Sequence, residues 1–194
     1  DKIPFEYAKI VKGVGNAANA AVASARLGLR SAVVTNIGDD LNGHESLNSL
    51  HHNKVITSYV RKNECKATNY HYVLWYGAER TILVNHVDYE YKLPKLPEAR
   101  WVYLTSLASN TFPYHMAVAD YLEAHPKIRL AFQPGTFQMK LGFDDLKRIY
   151  ARTDVFIVNV EEAQRILNST SHDVKALMQK IHDKGPKLVL VTDG

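Results

Sequence analysis

The sequence has little cysteine and no long apolar run, and both absences narrow what this chain can be. It holds 194 residues and a single cysteine, Cys65, which excludes an internal disulfide. No apolar stretch approaches the ~18 residues of a membrane span. The first residues also lack the basic start and apolar core of a secretory signal. We therefore expect a cytoplasmic protein with a reduced thiol and no membrane partner.

A strong charge bias is missing as well. The chain has 24 Lys and Arg against 20 Asp and Glu, a formal net charge of +4, and both signs are scattered along it. Because no basic arm or stripe stands out, we do not expect nucleic acid as a partner. With 46% hydrophobic residues, the chain is able to bury a substantial core.

What the sequence does contain is an alternation of strand-like and helix-like segments. Strands are predicted at 31–36, 101–107, 128–133, 154–159 and 187–194, and helices at 17–27, 41–52, 114–124, 143–151, 160–167 and 172–185. Such alternation favours an α/β fold with a mostly parallel sheet and helices on both faces. We treat residues 1–194 as one domain that is incomplete at both ends, since the final strand ends the chain.

A strand-rich insert at about residues 55–88 interrupts this alternation. The segments 56–60, 67–76 and 80–87 are rich in β-branched and aromatic residues, and Tyr76–Arg80 is typical of a turn. The insert is therefore predicted to be a lid or an extension of the sheet.

The stretch "KGVGNAANAAVASARLG" at residues 12–28 contains a G-x-G-x-x-A pattern. In a nicotinamide enzyme this pattern follows a strand, and an acidic residue comes about 20 positions later. Residues 7–11 are a short candidate for that strand, and Asp39 lies beyond the end of the next one. The sequence meets both requirements poorly, and a nicotinamide-dependent oxidoreductase is kept only as an alternative.

Two asparagines give a better account of the same stretch. Asn16 and Asn19 are three residues apart in the first turn of the predicted helix, and Gly15 allows a ligand to approach the backbone. Amide side chains both donate and accept hydrogen bonds, which suits the vicinal hydroxyls of a sugar. The competing interpretation is that Asn16 is an N-cap, which explains one asparagine and not the other.

The residues quoted so far, followed by "NIGDDLNG", resemble the first signature of the ribokinase (PfkB) family of sugar and nucleoside kinases. Further similarities follow in order along the chain. "FQPGT" is similar to the family's Asn-Pro-Gly-Thr-like turn, "DVFIVNVEEAQRIL" to its Asn-x-x-Glu motif, and "VLVTDG" to the strand that ends in Thr-x-Gly. The order of the matches is more specific than any one of them.

This resemblance implies a ribokinase-like three-layer sandwich with a mostly parallel central sheet and a small β lid. It implies ATP-dependent phosphorylation of a sugar, a nucleoside or a related small hydroxyl compound, with ATP and Mg2+ as cofactors. Asn159 and Glu162 would organise magnesium, with Glu162 acting through water, and Thr192 and Gly194 would contact nucleotide phosphate. The alternative for Glu162 is a first-turn glutamate favoured by the helix dipole.

In the family the lid covers the sugar, and in many relatives it also pairs two subunits. On this basis we predict substrate binding by Gly15, Asn16, Asn19 and Arg80, and a homodimer formed through the lid. Arg80 is placed at a hairpin tip, where it would close on a substrate anion. The alternative is that Arg80 is a solvated turn charge.

Departures from the family pattern matter as well. Val14 stands where the family has the first of two adjacent glycines. The Gly-Ala-Gly-Asp segment, whose aspartate is the catalytic base, is absent, so we place no catalytic residue within this chain and expect the aspartate beyond Gly194. By itself the chain is then expected to be inactive as a kinase. A non-catalytic regulator of the same fold, which binds sugar or nucleotide, is the main alternative.

Overall fold

The structure is a computed structural model that describes residues 4–193. The chain divides into two compact units, and the division falls between Tyr89 and Glu90. The first unit contains, in order, α1 (Asn16–Arg26), β1 (Thr35–Gly38), α2 (Leu41–His52), β2 (Val60–Asn63), β3 (Tyr70–Tyr76) and β4 (Glu79–Asn85).

The second unit has the strand-helix alternation that the sequence predicts. It contains β5 (Trp101–Leu104), α3 (Phe112–Ala124), β6 (Arg129–Phe132), α4 (Thr136–Arg152), β7 (Thr153–Asn159), α5 (Val160–Leu167), α6 (Val174–His182) and β8 (Leu188–Thr192). Its four strands form one sheet in the order β5-β6-β7-β8, and every neighbouring pair is parallel. The predicted α/β architecture with a parallel sheet is confirmed.

The core of the second unit is a single cluster of buried residues to which each of these helices and strands contributes. Aromatic rings fill its centre. Phe132 meets Phe156 at a ring-centroid distance of 5.6 Å, and both rings contact Tyr150. The two contacts of Phe132 are edge-on, and aromatic contacts of this kind add to the hydrophobic stabilisation of a core.

In the first unit, β1 and β2 are parallel neighbours with Thr35 opposite Val60. In the segment 56–60 of the predicted strand-rich insert, Ile56 makes an isolated bridge to Ala32, and β2 begins at Val60. A smaller apolar cluster lies between this region and the helices. Its buried members are Ala21, Val33, Leu50 and Val55.

The remaining strands of the insert, β3 and β4, form an antiparallel hairpin. Tyr76 pairs with Glu79, so the turn consists of Gly77 and Ala78, inside the predicted range. Gly77 has φ +59°, a left-handed conformation that glycine adopts without steric cost. Arg80 lies in β4 at the second pair from the turn, and not at the tip itself.

Among the helices within residues 4–193, none combines the length and the apolar character needed to cross a membrane. The longest, α4, begins seven residues before the predicted start at 143. It is interrupted at Gly142, whose φ of +83° is not helical. The sequence pattern predicts the part of α4 that follows Gly142, but not the helical residues that precede it.

Candidate functional site

The glycine-rich turn leads directly into α1. Gly15 has φ +129° and is the N-cap of the helix, so Asn16 is already its first helical residue. The interpretation of Asn16 as a side-chain N-cap is therefore wrong. Gly13 has φ +65°, and a Cβ atom there would lie 3.0 Å from the carbonyl oxygen of Ser46. Both the backbone conformation and the close approach to α2 favour glycine at this position.

The two asparagines share the exposed first turn of α1. Asn16 and Asn19 are both exposed, and the Asn19 amide N–H donates to the Gly15 carbonyl at 2.7 Å. The side-chain amide of Asn19 makes no hydrogen bond with any residue in the range 4–193. Its full donor and acceptor capacity is thus available to a ligand at this turn.

A polar tether that the sequence did not reveal holds the glycine turn on α2. The Lys12 ammonium donates to Asn42 Oδ1 at 2.9 Å and pairs with the Glu45 carboxylate at 2.6 Å. The Ser49 hydroxyl donates to the Lys12 carbonyl at 3.1 Å. These contacts fix the backbone just before the turn. They join residues at least 30 positions apart in sequence, so no local sequence pattern predicts them.

The "GDD" loop at the end of β1 is organised around Asp40. Its carboxylate accepts from the Gly43 N–H at 2.9 Å, the Thr68 N–H at 2.9 Å and the Thr68 hydroxyl at 2.6 Å. Burial alone would raise the pKa of this carboxyl, but the hydrogen bonds outweigh it, and the pKa lies below its usual range. Asp40 therefore caps α2 and ties it to the segment before β3.

Two glycines make this loop possible. A Cβ atom on Gly38 would lie 2.2 Å from the Lys66 carbonyl oxygen, and one on Gly43 would lie 2.5 Å from the Gly38 carbonyl oxygen. Neither gap accepts a side chain. The glycines of the Gly-Asp-Asp-x-x-Gly segment at residues 38–43 are thus required by close backbone packing. Asp39, the first aspartate of this segment, is exposed and pairs with Lys62 at 2.6 Å.

In the second unit, two of the predicted nucleotide residues lie at the carboxyl ends of adjacent strands. Asn159 ends β7, Thr192 ends β8, and the two residues are directly opposite each other in the register. Ligands of open α/β sheets bind outside this edge. Gly194, the remaining predicted phosphate contact, lies outside the described residues.

Asn159 and Glu162 form a reciprocal capping box at the start of α5. The Asn159 N–H donates to Glu162 Oε2 at 2.9 Å, and the Glu162 N–H donates to Asn159 Oδ1 at 2.7 Å. This arrangement accounts for both residue types without a metal ion. It engages one oxygen of the carboxylate and leaves the other for a further contact.

Within residues 4–193, no three His, Cys, Asp or Glu side chains converge in a group able to hold a metal ion. A cation beside Glu162 would therefore take most of its ligands from water and from bound phosphate. Magnesium fits such a donor set, because it keeps several waters and is commonly held by one or two carboxylates.

Arg80 lies over an aromatic ring of the hairpin, at the distance of a cation–π contact. Its guanidinium carbon lies 6.0 Å from the centroid of the Trp75 ring, the residue opposite it in the register. Both side chains are exposed. In this exposed contact the N–H donors of the guanidinium stay accessible to solvent.

Comparison of the sequence with known protein families identifies the family to which this site belongs. A profile of the pfkB family carbohydrate kinases matches residues 10–194, nearly the whole chain. The chain belongs to the pfkB family. Residues 7–11, which a nicotinamide site would need as a strand, form no strand, so that alternative gains no support from the fold.

Individual relatives are distant in sequence. An ATP-dependent 6-phosphofructokinase from Thermoanaerobacterium thermosaccharolyticum is 24% identical over 192 residues, a match covering 93% of this chain and 59% of that protein. Our chain thus spans about three fifths of the length of this curated relative.

Solved structures share the fold at similar distances. A PfkB protein from Polaromonas sp. JS666 has a TM-score of 0.71 at 19% identity, covering 90% of this chain and 64% of its own. A fructokinase from Vibrio cholerae O395, solved with fructose, ADP and calcium ion, has a TM-score of 0.73 at 21% identity, with coverages of 93% and 63%. The predicted ribokinase-like fold is confirmed.

Proposed function

We propose that the full-length protein of which this chain is a part is a cytoplasmic kinase that transfers the γ-phosphoryl group of ATP to a hydroxyl of a sugar or a related small hydroxyl compound. The observation that carries the proposal is the exposed amide pair at the glycine turn, in a chain that matches a carbohydrate kinase family from residue 10 onward. Family membership alone does not identify the substrate, so the site residues carry the rest of the argument.

The acceptor sugar is assigned to the first turn of α1. Gly15 has no side chain, and a Cβ atom there would meet nothing within 4 Å, which leaves room for a ligand beside the backbone. Asn16 and Asn19 supply two amides that both donate and accept. Arg80, held against Trp75, would attract an anionic group if the acceptor carries one.

The nucleotide is assigned to the carboxyl edge of the four-stranded sheet. Thr192 offers a hydroxyl to phosphate, and Asn159 and Glu162 flank the start of α5, where the positive end of the helix dipole favours anions. Magnesium, when bound, would neutralise charge on the phosphates. The fructokinase with fructose and ADP supports this pairing of ligands. The catalytic aspartate remains predicted beyond Gly194, so no catalytic residue is proposed within this chain.

The function is tested in the full-length parent protein, where the catalytic aspartate is predicted, by coupled measurement of ATP consumption over a panel of pentoses, hexoses, hexose phosphates and nucleosides. Titration calorimetry with the same sugars and with ATP runs in parallel. Phosphorylation of a panel member supports the kinase. Binding of both ligands without turnover favours the non-catalytic regulator instead, and binding of NADH without any response to ATP would overturn the assignment to this family's chemistry.

The sugar site is tested with Asn19→Ala. Loss of a hydrogen-bond partner costs ~1–3 kcal/mol, so the KM or Kd for the sugar should rise by about 5- to 150-fold. The value for ATP should hardly change. Asn48→Ala, at an exposed asparagine of α2, is the matched control. Equal effects on both substrates would contradict the assignment.

The magnesium contact is tested with Glu162→Gln. Glutamine keeps an oxygen that accepts from the Asn159 N–H, so the capping box survives while the charge is removed. The magnesium dependence should shift to higher concentration. Glu161→Gln removes a charge from the same first turn and should leave the titration unchanged. If the magnesium dependence is unaltered in both variants, Glu162 only caps α5 and does not contact magnesium.

We also propose that two copies of the chain pair through the β3–β4 hairpin. Every residue of both strands is exposed, including Tyr72, Trp75 and Leu83 at 61%, 67% and 52%. A two-stranded hairpin with apolar side chains on both faces needs a covering surface. Light scattering should give a dimer for the wild type and a monomer for Leu83→Lys. A wild-type monomer at high concentration would overturn the pairing.

A further inference from the structure

A buried polar cluster lies within the second unit and takes no part in the sites assigned above. His115 in α3 and Gln138 in α4 are 0% and 1% exposed. Leaving such groups unpaired in the interior is costly. Their hydrogen bonds therefore define what this cluster does.

The Gln138 amide can adopt only one orientation. Its Oε1 accepts from the Gly135 N–H at 2.7 Å, and its Nε2 donates to the Thr105 carbonyl at 2.8 Å. A backbone N–H only donates and a carbonyl only accepts. Turning the amide over would therefore break both bonds at once.

This orientation in turn determines the protonation of His115. The second N–H of Gln138 Nε2 faces the imidazole Nε2 at 3.1 Å, so that nitrogen must accept. The imidazole Nδ1 lies 2.7 Å from the Thr111 carbonyl, so it must donate. His115 is thus a neutral imidazole with its proton on Nδ1, and each polar atom of the two side chains matches its partner.

The cluster connects two loops at the carboxyl edge of the sheet. Thr105 directly follows β5, and Gly135 belongs to the turn after β6. The loops touch, because a Cβ atom on Gly135 would lie 2.4 Å from Ser106 Oγ. Loops at this edge are where α/β proteins place ligands, so their relative position affects a ligand bound there.

We propose that Gln138 is a positioning residue that holds the loop after β5 and the turn after β6 together, and that neutral His115 keeps Gln138 in its working orientation. The inference rests on the proposed function only in assigning a ligand to this edge. The cluster itself follows from the hydrogen bonds.

Acid should disrupt this arrangement. A proton on His115 Nε2 would set an N–H against the N–H of Gln138, and relief by turning the amide would release Gly135 and Thr105. Burial holds the pKa of His115 below its usual value, a shift that the hydrogen bond to Thr111 partly opposes, and no charged group contributes to it. The adjacent Tyr114, whose pKa burial raises to about 12, stays neutral at acidic pH.

The test is amide hydrogen exchange of Gly135 in the 194-residue chain without ligand, expressed as protection factors, while the pH is lowered from 7 and the protonation of His115 is followed by imidazole nitrogen NMR. Wild type should lose at least ~10-fold of its protection as His115 becomes protonated, the effect of one lost buried hydrogen bond. His115→Gln keeps an amide side chain but cannot titrate, so its protection should stay constant. His125→Gln is the control, because exposed His125 makes the same bond to a carbonyl four residues earlier.

Equal pH responses of wild type and His115→Gln would overturn the proposal. Imidazole nitrogen NMR of the wild type at pH 7 provides a test without any variant: the neutral Nδ1–H form is expected, and an Nε2–H form or an imidazolium would overturn it. Sugar phosphorylation by the full-length parent protein, measured separately, distinguishes the failures. If sugar is phosphorylated but the exchange of Gly135 does not respond as expected, only the positioning role of Gln138 is contradicted. If the exchange responds as expected but no sugar is phosphorylated, only the kinase assignment is contradicted.

Discussion

The two units of the chain hold themselves together in different ways. In the second unit, every helix and strand contributes to one buried apolar cluster. In the first, the buried cluster is small, and backbone close approaches at Gly38 and Gly43 and hydrogen bonds to Asp40 replace part of that packing. Hydrophobic burial is non-directional and tolerant, whereas polar contacts and close approaches depend on individual atoms. Substitutions should therefore damage the two units through different residues.

The largest effect is expected in the core of the second unit. Phe132→Ala removes a ring that is 0% exposed and contacts Tyr150 and Phe156, so the free energy of unfolding should fall by ~3–5 kcal/mol. Urea denaturation measures the loss. Phe5→Ala, at a ring that is 79% exposed, is the control and should change little. A loss below about 1 kcal/mol for Phe132→Ala would contradict the contrast between the units.

In the first unit, the comparable sensitive residue is polar. Asp40→Asn would place an amide N–H2 against either the Thr68 N–H or the Gly43 N–H, because both carboxylate oxygens accept from these donors. The free energy of unfolding should fall by ~1–3 kcal/mol. The adjacent Asp39→Asn, which alters only an exposed ion pair, should have a much smaller effect in the same assay. Similar losses for the two variants would show that the Asp40 network is not what holds this loop.

The same carboxylate predicts a dependence on pH. Because the pKa of Asp40 is lower in the folded state, its contribution is fully present above the unfolded value of about 3.9 and is lost as pH falls through the folded pKa. Unfolding free energies measured from pH 6 to pH 3 should therefore decline more steeply in wild type than in Asp40→Asn. Parallel curves would mean that other carboxyl groups, such as Asp154 in the second unit, account for the decline.

The features that could be predicted from the sequence depend on contacts between residues that are close together in the chain. The helices at 41–52 and 160–167 begin and end as predicted. Their starts are fixed by Asp40 and Asn159, which cap them from the preceding position. The asparagine pair on α1 was found for the same reason, since i, i+3 spacing is visible in the sequence.

Contacts between distant residues could not be predicted. Thr68 meets Asp40 across 28 residues, and Gln138 meets His115 across 23. None of these residues belongs to a pattern that indicates its partner. Glycines are similar: Gly38 stands in a family-like motif, but only the structure shows the carbonyl oxygen that excludes a side chain there.

The smallest effect on stability is expected at the β3–β4 hairpin, where apolar residues are most numerous on the surface. Trp75→Ala removes a large ring, yet this ring is 67% exposed and lies beneath the Arg80 guanidinium. At a protein concentration low enough to exclude association, the free energy of unfolding should fall by no more than about 1 kcal/mol, the scale of an exposed cation-π contact. Unfolding is measured at several concentrations, because a ring buried between two copies would contribute only where the copies meet. A large loss that does not depend on concentration would mean that Trp75 packs within its own chain, and the contrast between an exposed hairpin and a buried sheet would fail.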